Sequence, residues 1–227
     1  MPRKEPRRTR ERIVETALSL FNREGEPHVT TADIADEMNI SPGNLYYHFR
    51  NKDQIVGELY DSLEQSIAPL FGIPSAAAAN VEDFWLFLHL LFERMWAFRF
   101  FYRDLDDITA RNAPIARRFA LLTSRGRDAV AVLCRGLRTA GAMDVSESEL
   151  AALATNVMIV VTYWMSFQRL SRPVAAGRDR DAAGMRFEHA AAQVLALLSP
   201  YLHGPDRALV ERLSAAYREP AASSPEA

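Results

Sequence analysis

Residues 30–53 read Thr30-Thr31-Ala32-Asp33-Ile34-Ala35-Asp36-Glu37-Met38-Asn39-Ile40-Ser41-Pro42-Gly43-Asn44-Leu45-Tyr46-Tyr47-His48-Phe49-Arg50-Asn51-Lys52-Asp53, and the spacing within this stretch decides the fold. Thr31 is placed to cap a short helix whose inward face is Ile34, Ala35 and Met38, with Asp33 in the first turn, where the positive end of a helix favours an acid. Asn39-Ile40 makes a turn. Ser41-Pro42 then supplies an N-cap followed by proline at the first helical position, where the missing N–H costs nothing, and a second short helix runs to about Phe49. Leu45 and Phe49, four apart, anchor it inward. Gly43, Asn44, Tyr46, Tyr47 and His48 are left to face out as a dense polar and aromatic patch.

Upstream, Ile13, Val14, Ala17, Leu18 and Phe21 follow a helical stripe from about Thr9 to Glu24, closed by Gly25. Three short helices with a tight turn before the last form a compact unit that can offer its third helix to a DNA major groove. Such a unit can also simply pack, so the surface chemistry has to decide. Tyrosine hydroxyls, His48 and Lys52 suit phosphate oxygens, helped by the N–H groups at the start of the helix that Lys52 opens. Residues 1–12 add Arg3, Lys4, Arg7, Arg8, Arg10 and Arg12 against Glu5 and Glu11, whereas the first 55 residues balance at nine of each sign and the whole chain carries −2. The balance does not suggest a generic polyanion binder, and any DNA contact must come from local charge.

The residues from Thr30 to Asp53 resemble the helix-turn-helix signature of the TetR family of transcriptional regulators, and the likeness covers residues 9–60. The resemblance implies that Tyr47, His48 and Lys52 contact the DNA backbone and that Thr31, Gly43, Asn44 and Tyr46 lie near base edges. It adds Ser41 at the helix start, and Arg7, Arg8 and Arg10 in a basic arm. One departure is Gly25-Glu26-Pro27-His28-Val29, where the family often has a glycine-aromatic pair. The implied fold class is all-α: an N-terminal three-helix helix-turn-helix domain over residues 1–54, a C-terminal helical ligand-binding and dimerisation domain over 55–218, and a disordered tail over 219–227.

Beyond Asn51 the stripe Ile55, Val56, Leu59, Tyr60, Leu63 and Ile67 makes a longer fourth helix, and Pro69 to Asn80 reads as a linker. Further helices are expected at about 81–98, 100–111, 114–140, 146–170, 184–203 and 205–217, with a flexible loop over 172–184 and no competing strand pattern. Nine of the 22 aromatic residues fall between Phe84 and Tyr102. A helix apolar nearly all round is central, either packed solid or lining a cavity, and both readings fit Phe84, Phe87, Phe92 and Trp96. If it is a cavity, its lining is expected from these together with Phe101, Met158 and Met165, with Met95 as a further flexible wall. The candidate polar groups are His89, Arg94, Arg103, Asp104, Asn156, Thr162, Tyr163 and Gln168, and the implied ligand is small and hydrophobic.

The resemblance assigns Leu150 to Gln168 and Arg186 to Leu198 to a homodimer interface, where Ala190, Ala191, Ala192 and Ala196 leave room for a partner helix or pack within the chain. Two recognition helices about 34–36 Å apart would match a palindromic operator. Leu150 to Gln168 lacks charge and reaches membrane-helix length, but Thr155, Asn156, Thr162, Ser166 and Gln168 interrupt it, so a buried core helix and no membrane partner are expected. With a single cysteine and no signal peptide in view, the chain reads as cytoplasmic.

Two other classes compete. An enzyme would need a constellation that is missing: the histidines at 28, 48, 89, 189 and 203 make no His-x-x-x-His or Glu-x-x-His pair, and neither a nucleophile elbow nor a phosphate-binding glycine loop occurs. No metal or cofactor is therefore expected. The other keeps the DNA-binding unit and makes the C-terminal half a module that only dimerises or docks a protein.

Overall fold

A computed structural model describes residues 6–72, 80–171 and 187–216; the side chains of Pro6 and Arg7, of Phe187 and Glu188, and of Ala216 fall outside that description. The expected loop over 172–184, the tail over 219–227 and the arm residues Arg3 and Lys4 lie outside the described residues. Helices α1 (Pro6–Glu24), α2 (Thr31–Glu37), α3 (Pro42–His48) and α4 (Lys52–Ile67) build the N-terminal unit. Its core is Ile13, Ala17 and Phe21 of α1, Ile34 and Ala35 of α2, and Leu45 and Phe49 around α3, all fully buried. Each large apolar side chain removed from water here contributes about 1.5–3 kcal/mol. The boundary expected at residue 54 falls inside α4, which runs on into the C-terminal half, so one rigid element belongs to both.

Local capping explains where these helices begin. Thr30, not Thr31, caps α2: its hydroxyl accepts from the Asp33 N–H at 3.2 Å while the Asp33 carboxylate accepts from the Thr30 N–H at 2.7 Å. The reciprocal box needs an acid three residues after the cap, and Asp33 meets that condition only for Thr30. Thr31 thereby becomes the first helical residue, with its hydroxyl available for other contacts. Ser41 caps α3 by accepting from the Asn44 N–H, and Asn51 caps α4 by accepting from the Gln54 N–H. Gly25 closes α1 at φ 100°, a left-handed conformation that a side chain would strain.

The C-terminal half consists of α5 (Val81–Ala97), α6 (Arg99–Arg103), α7 (Leu105–Arg111), α8 (Ala113–Thr139), α9 (Glu147–Ser171), α10 (Phe187–Leu198) and α11 (Gly204–Ala216). The single helix expected over 100–111 is split at Asp104, whose backbone leaves the helical region and whose carboxylate accepts from the Glu26 N–H at 3.0 Å. The helix expected over 184–203 likewise ends at Leu198, and a 3-10 turn through Pro200 follows. Among the described residues the only strand-like pairing is an isolated bridge between Met143 and Leu202. Helices α8, α9 and α10 pack together, and α6 lies against α9. Cys134 is buried in α8, and burial pushes its thiol up to about 12.

Helix α9 is long and apolar enough to cross a membrane, by length and composition alone. One face of it is buried, as a core helix requires, and the other is not. Leu153, Val157, Met158, Val161 and Met165 face inward, while Ile159, Tyr163, Phe167 and Leu170 stand exposed on the opposite side. Ala190, Ala191 and Ala192 are buried against this chain's own helices, and of the four alanines only Ala196 remains at the surface.

Candidate nucleic-acid interface and sensor interior

Helix α3 presents a surface that its own core does not need. Leu45 and Phe49 hold it down, and Tyr46 and Tyr47 project at 52% and 78% exposure. The Tyr46 hydroxyl lies 3.4 Å from the Thr31 hydroxyl, so the first turn of α2 and the middle of α3 meet in one polar face. Gly43 and Asn44 lie beside it in solvent, and a Cβ placed on Gly43 would meet nothing within 4 Å, which leaves the backbone open to close approach. His48 is half-buried with its ring edge-on to Tyr47, the centroids 5.1 Å apart. Thr9, Arg12, Asn39, Asn44, Tyr47 and His48 share one open cleft of about 480 Å³. Thr31, Gly43, Asn44, Tyr46, Tyr47 and His48 are thus brought together, with Ser41 serving as the cap.

The basic residues divide differently. Arg8 is exposed, and the Arg7 side chain falls outside the described ones. Arg10 is engaged within the unit: its guanidinium donates to the His48 carbonyl at 2.8 Å, sits 4.1 Å from the centre of the Phe49 ring and pairs with Glu58. Lys52 is engaged as well. Its ammonium donates to the carbonyls of Glu26 at 2.9 Å and Val29 at 3.0 Å, and lies 3.0 Å from the Glu26 carboxylate. Both side chains fasten the candidate interface from behind, Arg10 from α1 and Lys52 from the first turn of α4.

The C-terminal interior contains a small void between α4, α5, α6, α8 and α9, of about 20 Å³, room for about one water. Its walls include Met95, Tyr102, Phe119, Thr123, Met158 and Thr162, and no charged residue lines it among the described residues. Of the expected residues, Met95, Met158 and Thr162 line it; Phe84 and Phe87 stand behind Phe71, another wall, with the Phe71 and Phe87 ring centres 6.2 Å apart. Phe92 and Met165 are buried elsewhere in the core, and Phe101 packs between Tyr60 and Phe119. Trp96 is half-buried beneath the Arg99 guanidinium. His89 lies exposed, stacked on Trp85, and Tyr163 belongs to the outer stripe of α9. Arg103 turns to the carbonyl of Phe21 at 2.5 Å and to Asp104. Tyr102, Phe119 and Phe71 are walls beyond the expected lining.

Tyr60 and Tyr102 share a feature that spacing does not report. Both phenols are held well above their ordinary range, by burial first and then by neighbouring groups, Glu64 for Tyr60 and Tyr60 for Tyr102. The Tyr60 hydroxyl finds no hydrogen-bond partner among the described residues. Gly126 explains the tight fit of the opposite wall: a Cβ there would lie 2.9 Å from the Met158 methyl and 3.0 Å from the Phe71 ring. Among the described residues no group of three or more His, Cys, Asp or Glu could hold a metal.

This arrangement defines a helix-turn-helix protein with an appended all-helical domain. The pattern described as "Bacterial regulatory proteins, tetR family" matches residues 13–59, and that described as "Bacterial transcriptional repressor" matches residues 62–210. The chain belongs to the TetR family of transcriptional regulators. It is similar in structure to a TetR-family transcriptional regulator from Marinobacter aquaeolei VT8, at 33% identity and a TM-score of 0.81, covering 93% of this chain and 99% of that one. Among curated proteins it is similar to the probable acrEF/envCD operon repressor of Escherichia coli (strain K12), 40% identical over 53 residues, which are 23% of this chain and 24% of that protein. It is also similar to the HTH-type transcriptional regulator TtgR of Pseudomonas putida, 38% identical over 64 residues, 28% of this chain and 30% of that one. These two matches thus span under a third of each relative's length.

Proposed function

We propose that this protein is a cytoplasmic transcriptional repressor that binds a palindromic operator as a homodimer and is released by a small hydrophobic ligand. The observation that carries the reading is the α3 face, where Tyr46 and Tyr47 stand in solvent beside Gly43 and Asn44 while Leu45 and Phe49 fix the helix beneath them. Phenolic hydroxyls and short polar side chains at that position suit phosphates and base edges. The family pattern for tetR regulatory proteins matches residues 13–59, which include this face, and one of the two curated relatives carries "repressor" in its name.

The homodimer rests on α9. Ile159, Tyr163, Phe167 and Leu170 recur at helical spacing as one exposed apolar stripe, and a second copy would take it out of water. The ligand rests on an interior with an uncharged aromatic and methionine lining. At about 20 Å³ the void must open for a ligand to enter, and Met158 and Met95 can repack more easily than branched residues. A ligand that binds the opened form better shifts the population away from the DNA-competent one. The test is selection of random duplexes by the purified full-length protein and by Tyr47→Ala. A palindromic site enriched by the first and weakened about tenfold in the second supports the reading, and no enrichment above salt-sensitive background binding sinks it.

A further inference from the structure

Glu26 is fully buried in the turn that joins α1 to α2. A buried carboxylate is costly unless cations face it, and here two do. The Lys52 ammonium at the start of α4 lies 3.0 Å from Oε1, and the Arg111 guanidinium at the end of α7 lies 2.5 Å from Oε2. One cation comes from the DNA-binding unit and the other from the C-terminal half. Arg111 also reaches Asp53 at 3.4 Å, so it spans two carboxylates of the N-terminal unit. The Asp104 carboxylate, between α6 and α7, ties the Glu26 N–H from the same side.

The consequences run toward the DNA face. Three oxygens of the protein surround the Lys52 ammonium, which directs it to the turn over residues 26–29 instead of to a phosphate. That turn leads directly into the Thr30 cap and Thr31 of α2, while Lys52 itself opens α4 immediately after α3. The seat of Glu26 therefore fixes how α2 and the N-terminus of α4 sit around the recognition helix.

We propose that Arg111 is a positioning residue for DNA binding: from the C-terminal half, through the buried Glu26 carboxylate, it holds Lys52 and the turn before α2 in the DNA-competent arrangement. Any displacement of α7 withdraws half of the compensation from Glu26, and the turn has to move. The inference rests on the DNA-binding reading above and names the contact by which the C-terminal half controls it.

The test measures affinity of the full-length protein for its selected duplex between about 50 and 200 mM salt, where each lost phosphate contact flattens the logarithmic slope by about 0.9. Arg111→Met is expected to weaken binding about tenfold with an unchanged slope, a coupling of ordinary allosteric size. Lys52→Met should also leave the slope unchanged, and Glu26→Gln added to Arg111→Met should weaken binding little further, because both residues act through one contact. Wild-type affinity in Arg111→Met, a slope lowered by either single substitution, or additive losses in the double variant would each overturn the proposal. Hydrogen exchange separates this from a failure of the DNA-binding reading itself. Without any selected duplex, faster exchange over residues 26–30 and the first turn of α4 in Arg111→Met, with α8 and α9 unchanged, still supports the linkage. Unchanged exchange there overturns it.

Discussion

The two halves of the molecule use their aromatic residues in opposite ways. On α3, Tyr46 and Tyr47 stand in water over a core that is complete without them; between α4, α6 and α8, Tyr60, Phe101 and Tyr102 are buried, and the Tyr60 hydroxyl has no partner among the described residues. The first arrangement is finished internally and open outward. The second is closed outward and unfinished internally. The contrast separates a surface that can meet its ligand as it stands from an interior that has to rearrange first.

The largest expected effect comes from breaking the finished side. Phe49 is fully buried and carries Arg10 on its ring, so Phe49→Ala should cost about 3–5 kcal/mol, read as a lowered denaturant midpoint, and abolish operator binding. Hydrogen exchange should then speed over α2 and α3 while the α8–α9 core stays protected. Uniform loss of protection would mean that the halves unfold as one.

On the unfinished side, Met158→Ala should cost about 2–3 kcal/mol and enlarge the void at its flexible wall. Benzene should then raise the melting temperature of this variant and leave that of the parent unchanged, since enlarged apolar cavities take up such probes. Equal responses would place the probe elsewhere and remove the contrast.

Smaller changes sharpen the comparison at helix starts. Thr30→Ala removes the α2 cap and should destabilise by about 1 kcal/mol, measured by thermal unfolding, while Thr31→Ala leaves the cap intact and should cost less. The smallest effect is on pH. Hydrogen bonds from the Thr30 backbone and hydroxyl hold Asp33 below 3.8, so its stabilising contribution is present above that value and is lost as pH falls through the lower folded one. The C-terminal half has counterparts in Glu147, lowered first by its hydrogen bond from Arg138, and Glu149, lowered by Ser146. Asp33→Asn should therefore flatten only part of the acid limb in a pH series of unfolding midpoints.

What the sequence discloses follows the range of the interactions. The start of α3 was legible because Ser41-Pro42 acts on the next turn, and the break before α4 because Arg50-Asn51-Lys52-Asp53 interrupts the apolar stripe, whereas the Asn51 cap itself is seen only in the structure. The α2 start was misplaced by one residue because two adjacent threonines compete and only the acid at Asp33 separates them. Arg10 and Lys52 looked like free cations, since their partners Glu58 and Glu26 lie 48 and 26 residues away. The void was legible in composition and not in address: its walls come from five helices, and the close approach at Gly126 depends on packing between distant segments.

The single cysteine has a consequence of another kind. Cys134 is buried, and burial holds its thiol up at about 12, so the thiolate form is scarce at neutral pH. Peroxides, electrophilic toxins and disulfides attack the thiolate form. The folded protein therefore offers oxidants no reactive sulfur at this position, and changes in the redox state of its surroundings should pass without altering its state through this residue.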